Sequence, residues 1–259
     1  MGMRLQPSYE IKPPFFEFYM GAQQKTKRRL SVKTMKFIGA IGIGVCLLMI
    51  SLGVVAQNSS TPSAEAIVER MQAVYAAADD YQANFVQTTA HKMFAGRLER
   101  SYGIVKFKKG GLMRWEYQRP ENKYFIYDGK KLWVYEPEVP QVFSGAADAE
   151  RLRRALAFLS GEGKILDEYH VKKLDESKFR FTQGFVLGLR PKNEKSPFKR
   201  IELYIDKSSY RVVRSVVVDH EKNRNRIDFK NPKTGTGIPS SAFSFTPPKG
   251  VPVLTPGQQ

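Results

Sequence analysis

The 259-residue chain has a single cysteine, Cys46, and it lies inside an apolar stretch near the N-terminus. No disulfide can form within the chain, and a metal site built on thiolates is excluded. A body without thiols suits an oxidising compartment. Histidine is nearly as scarce. His91, His170 and His220 stand apart, with no second histidine or cysteine at ligand spacing. Glu168-Tyr169-His170 sets an acid near one of them but supplies no third ligand. The body also lacks a G-x-S-x-G elbow, a P-loop and a dinucleotide fingerprint. An enzyme is therefore not expected, nor a cofactor or metal.

Acidic residues are in short supply: 25 against 42 Lys and Arg, a formal net charge of +17. Residues 1–56 hold eight of the basic and two of the acidic side chains, so the remainder still carries a net +11. Such a charge suits nucleic acid, an anionic membrane surface or acidic partners alike. Basic clusters occur at 151–154 and 222–226, and aromatic and basic residues interleave over 102–115. That pattern fits a single-strand nucleic-acid platform. It fits equally a solvated strand face with apolar residues turned inward, and the N-terminus favours this second reading.

The N-terminus reads as an address. Residues 37–56 carry no charge, and Lys25, Lys27, Arg28, Arg29, Lys33 and Lys36 precede them. Val54-Val55-Ala56 then offers a small residue before a cut, and 57–62 are polar. A basic region, an apolar region and a small-residue site form a secretory signal. Twenty apolar residues could also span a bilayer as an uncleaved anchor. Acylation at Cys46 is disfavoured, because Val45 precedes it and half the apolar run follows it. Met1, Met20 and Met35 are all candidate starts, and from Met35 the segment has ordinary signal length.

Past residue 62 the chain shows folded patterning, with 42% hydrophobic residues overall. Ser63 can cap a helix whose apolar positions are Ile67, Met71, Val74 and Tyr75. The period then changes to two. Strands are expected over 81–89, 102–108, 112–118, 124–127, 132–135, 169–173, 179–182, 185–190, 200–205, 212–219 and 226–230. Asp128-Gly129 and Gly110-Gly111 mark tight turns. Residues 146–159 return to helical spacing, with Leu152, Leu156 and Leu159 on one side, and 243–256 are rich in proline. The fold class is mainly β with helices (α+β): a long antiparallel meander that curls into a barrel or part of one. Tyr124-Phe125-Ile126-Tyr127 has no polar side, so both faces of the sheet must be covered there.

Four blocks resemble, in order, the LolA family of outer-membrane lipoprotein carriers. They are Tyr81-Gln-Ala-Asn-Phe-Val-Gln87, the block 103–115 ending in Trp115, the block from Asp128-Gly129 to Pro137, and Phe243-Ser-Phe-Thr-Pro-Pro-Lys-Gly-Val251. Together they cover most of 64–254. The resemblance implies an incomplete β-barrel of about eleven strands with a helical lid. It divides the chain into a signal segment (1–56), a linker (57–63), a carrier domain (64–254) and a tail (255–259). It implies a monomeric periplasmic carrier of acylated lipoproteins, with an inner-membrane lipoprotein-releasing ABC transporter as partner. An outer-membrane receptor is left open, and nucleic acid is not expected.

Phe85, Met113, Trp115 and Tyr117 are the candidate cavity residues, although each could be an ordinary core residue. Leu152, Leu156 and Leu159 could seal the cavity or merely anchor their helix. The family favours an Arg-Pro turn where this chain has Lys109-Gly110, and the family Arg is understood to hold the lid through backbone carbonyls. Lys109 has one compact ammonium in place of a planar fork, which makes it a poorer double clamp. The competing functions are a lipid-binding module with another cargo and an envelope-stress sensor on the same fold.

Overall fold

The computed structural model describes residues 61–91, 98–139, 141–145, 165–194, 196 and 198–255. The first element begins at the expected cap. Ser63 accepts a hydrogen bond from the Ala66 N–H at 3.1 Å and opens α1 (Ala64–Ala77). Ile67, Met71 and Tyr75 are buried along one side, joined by Val68, while Val74 is only half-buried.

Six strands follow: β1 (Asp80–Ala90), β2 (Leu98–Lys108), β3 (Leu112–Arg119), β4 (Lys123–Tyr127), β5 (Leu132–Glu136) and β6 (Gln141–Gly145). A four-residue helix, α2 (Ile165–Glu168), leads into β7 (Tyr169–Leu174), β8 (Gly184–Pro191), β9 (Phe198–Asp206), β10 (Val212–Asp219) and β11 (Arg224–Thr234). The short β12 (Val253–Leu254) comes last. All twelve form one sheet in the order β12-β6-β5-β4-β3-β2-β1-β11-β10-β9-β8-β7. It is two meanders joined where β11 pairs antiparallel with β1, and β12 runs parallel to β6. The end strands β7 and β12 are not neighbours in that order, so the barrel is open, as the family resemblance implies. No described helix is long and apolar enough to cross a membrane.

The expected strand over 179–182 is instead a turn, and β6 and β12 were not foreseen. Phe179-Arg-Phe-Thr182 alternates like a strand, but local bonds override the alternation. The Asp175 carboxylate accepts from the Ser177 N–H and hydroxyl, and Arg180 turns back with φ +50°. The strand β12 has only two residues in a proline-rich stretch, too few to show a period. The expected helix over 146–159, with Leu152, Leu156 and Leu159, lies outside the described residues. So does the expected signal segment.

Both faces of the sheet are covered. On the inner face, α1 packs in one core with residues from β1 to β5 and β8 to β11. A smaller core lies on the outer face, where Phe181 meets Val186, Tyr204, Val216 and Val218. The C-terminal segment covers the outer side of β3 to β5. Arg114 donates to the Ala242 carbonyl at 3.2 Å, and Phe245 packs on Trp133 and Tyr135, each at 5.7 Å between centroids. This accounts for the apolar run in β4: Phe125 faces inward, and Ile126 shares the outer side with its ladder partners Arg114 and Trp133.

Candidate functional site

Alternation along the strands decides which side chains reach the inner face. On β1 these are Tyr81, Ala83, Phe85 and Gln87; on β3 they are Met113, Trp115 and Tyr117, all buried. The structure therefore brings together all four candidate cavity residues. Phe85 lies 4.9 Å, centroid to centroid, from both Trp115 and Tyr117, edge to face in each case. Met113 belongs to the same core.

The ring contacts extend well past these four. Trp115 meets Phe107 at 6.2 Å and Phe229 at 6.5 Å, and Tyr117 meets Phe125 at 5.8 Å. Tyr81 touches both Phe107 and Phe229 and reaches Tyr75 of α1 at 5.7 Å. A continuous aromatic surface thus runs from Tyr75 to Phe125 across β1, β2, β3, β4 and β11. Phe107 was legible in principle, because the turn at Gly110-Gly111 sets it opposite Met113. Phe229 was not, since β1 and β11 are far apart in sequence.

A glycine makes the centre of this surface possible. Gly103 stands opposite Phe85 in the β1–β2 ladder. A Cβ there would lie 2.8 Å from the Phe85 ring and 2.0 Å from the Glu116 carbonyl oxygen. The ring therefore lies directly on bare backbone.

One polar group interrupts the apolar face. Tyr117 donates its hydroxyl to Gln87 Oε1 at 2.8 Å, and Gln87 Nε2 donates to Asn225 Oδ1 at 3.1 Å. All three residues are buried. Burial pushes the Tyr117 phenol well above its usual range, so it stays protonated and remains a donor. At the other end, the Tyr75 hydroxyl accepts from the Val212 N–H at 3.0 Å, and burial raises its pKa as well. The buried Tyr81 hydroxyl has no hydrogen-bond partner among the described residues. Among those residues, no group of three or more His, Cys, Asp and Glu is arranged to hold a metal.

Among the described residues, this surface consists of rings packed on hydrogen-bonded strands and carries no charged side chain. The family model described as outer membrane lipoprotein carrier protein LolA matches residues 76–246, more than half of the chain. The chain belongs to the LolA family. An outer-membrane lipoprotein carrier protein of Chromobacterium violaceum is 28% identical over 209 residues, 80% of this chain and 96% of the relative. One from Nitrosomonas europaea is 28% identical over 177 residues, 67% of this chain and 82% of the relative. The crystal structure of a LolA superfamily protein from Nitrosomonas europaea aligns with a TM-score of 0.40 at 15% identity, covering 71% of this chain and 99% of that one.

Lys109, the candidate lid contact, is tied to the connection that follows α1. Its ammonium pairs with Asp79 Oδ1 at 3.0 Å, and its N–H donates to the Asp79 carbonyl at 3.0 Å. Both side chains are exposed, so this ion pair is a weak clamp.

Proposed function

We propose that this LolA-family chain carries the acyl chains of lipoproteins through the periplasm, from the inner to the outer membrane, on the aromatic inner face of its sheet. The observation that supports this most is the continuous ring surface from Tyr75 to Phe125, with Phe85, Met113, Trp115 and Tyr117 at its centre. Burying a methylene is worth about 0.8 kcal/mol, so a dozen exposed to water cost about 10 kcal/mol. An acyl chain therefore does not cross water alone, and a carrier must offer apolar surface.

That surface also needs a cover when empty, because a large exposed apolar patch promotes aggregation. Here α1 lies on it through Ile67, Val68 and Met71. Polar ties hold α1 to the β9–β10 hairpin: the Tyr75–Val212 bond and an Arg70–Tyr210 bond of 2.9 Å. Loading lifts this cover while the rings, fixed on hydrogen-bonded strands, stay in place. Lys109 limits the movement at one end through Asp79. The carrier itself needs no nucleotide, and an inner-membrane lipoprotein-releasing ABC transporter supplies the energy. The apolar run at 37–56 directs export, and the mature chain begins near Gln57.

The test is incubation of the purified protein with spheroplasts. Lipoproteins should leave the inner membrane in one-to-one soluble complexes with it. Lipoproteins that stay in the membrane, with free phospholipid co-purifying instead, would mean a different cargo.

A further inference from the structure

The outer face of the sheet carries a cleft of its own, with a volume of about 350 Å³. That lies within the range of small-molecule sites. Its walls are the 175–183 turn on one side and the outer side of β10 and β11 on the other. Arg180, Thr182 and Gln183 come from the turn; Arg214, Asp228 and Lys230 come from the strands.

The turn is built firmly. Phe179 and Phe181 both pack edge-on against Tyr204, at 6.3 and 5.3 Å between centroids. At Gly184 the turn meets β9 so closely that a Cβ would lie 1.9 Å from the Ile205 carbonyl oxygen. Arg180 is held at φ +50°, a left-handed conformation that an arginine adopts only at a cost in backbone strain.

The charges in the cleft are unevenly satisfied. Asp228 accepts from Arg214 at 2.6 Å and from Arg226 at 2.6 and 2.9 Å. Burial alone would raise its pKa, but these guanidinium bonds outweigh burial and hold the carboxyl below its usual range. Asp206, also in the wall, is engaged by the hydroxyls and N–H groups of Ser208 and Ser209. In contrast, the Arg180 guanidinium and the Lys230 ammonium have no ion-pair or hydrogen-bond partner among the described residues, nor do the side chains of Thr182 and Gln183. Two cations from separate segments and two neutral donors therefore face a cleft whose acids are already bonded.

We propose that this cleft binds a phosphate group, held between Arg180 and Lys230 with Thr182 and Gln183 as hydrogen-bond donors. A carboxylate presents two oxygens in one plane and would engage one guanidinium edge. A phosphate presents several oxygens in different directions and can meet both cations and the neutral donors together. The phosphate could be the free ion or the phosphodiester of a lipid headgroup. The site lies on the opposite side of the sheet from the aromatic surface, and the proposal does not depend on what that surface carries.

The test uses the full-length, 15N-labelled protein. Inorganic phosphate should shift the amide signals of Thr182, Gln183 and Lys230 saturably, and chloride at equal ionic strength should not. The double variant R180Q/K230Q should weaken this binding at least tenfold, while the control K199Q/K249Q, which removes equal charge elsewhere, should leave it unchanged. Vesicles of phosphatidylglycerol separate the two sources. A tenfold loss of vesicle co-sedimentation in R180Q/K230Q but not in the control assigns the headgroup. Unchanged co-sedimentation alongside weakened phosphate binding assigns the free ion. The proposal is overturned if wild-type protein shows no saturable shift at the cleft. It is also overturned if acetate gives the same shifts, or if both double variants lose binding equally.

Discussion

The two faces of β3 differ in chemistry from one residue to the next. Met113, Trp115 and Tyr117 point inward into a continuous aromatic surface. Arg114 and Glu116, between them in sequence, point outward and pair with each other, and Glu116 also pairs with Lys106. The contrast continues across the sheet. On the outer side, Glu202 is buried between Arg200 at 3.0 Å and Arg224 at 3.2 Å, and Asp228 sits between Arg214 and Arg226. Among the described residues, the inner ring surface has no ion pair and one polar cluster, that of Tyr117, Gln87 and Asn225. A period of two thus gives one sheet two chemistries. One face can accept methylenes at little cost; the other keeps its charges in pairs that an acyl chain would have to desolvate.

The contrast can be tested with neighbouring residues. The largest effect is expected from Trp115→Ala, which removes a buried indole from the centre of the ring surface and should cost about 3–5 kcal/mol in urea unfolding. Glu116→Ala, one residue along and on the other face, should cost about 1 kcal/mol, because its partners can turn toward solvent. Equal losses would break the distinction between the faces. Gly103→Ala should come next, at about 3 kcal/mol, because its methyl cannot fit between the Phe85 ring and the Glu116 carbonyl. A Phe85→Leu change should recover part of that loss, which a purely backbone effect would not allow.

The polar cluster should matter less. Tyr117→Phe removes the donor to buried Gln87 Oε1 and should cost about 1–2 kcal/mol. Tyr81→Phe removes a buried hydroxyl with no described partner, so stability should stay within about 0.5 kcal/mol or rise slightly. The smallest effect is on acid stability. Bonds from the Ser208 hydroxyl, opposed by burial and aided by Ser209, hold Asp206 at a pKa of about 2. A free aspartate titrates near about 3.9. Because the folded pKa is the lower one, this carboxylate stabilises the fold above about pH 4 and the benefit fades as pH falls toward about 2. Asp206→Asn should flatten that part of the pH–stability curve by lowering stability above about pH 4, and leave stability near about pH 2 nearly unchanged.

Much of this was legible in the sequence. Ser63 and the stripe of Ile67, Met71 and Tyr75 announced α1, and alternation announced ten of the twelve strands, with Phe85, Met113, Trp115 and Tyr117 on one face. What stayed hidden depended on long-range pairing or on local bonds that oppose the alternation. Phe229 joins the rings only because β11 docks on β1. The partners of Glu202 and Asp228 come together only once β9, β10 and β11 are in register. Phe179-Arg-Phe-Thr182 looks like a strand, and the Asp175 cap together with the left-handed Arg180 makes it the wall of a cleft instead.

The central claim is that acyl chains lie on the inner face. Placing a photo-reactive benzoylphenylalanine at Phe85 or Trp115, and separately at Arg226 on the outer face, tests it most directly. After loading from spheroplasts and irradiation, cross-links to the acyl chains of a lipoprotein should form from positions 85 and 115 and not from 226. Cross-links from position 226 alone, in protein that still carries lipoprotein, would contradict the account.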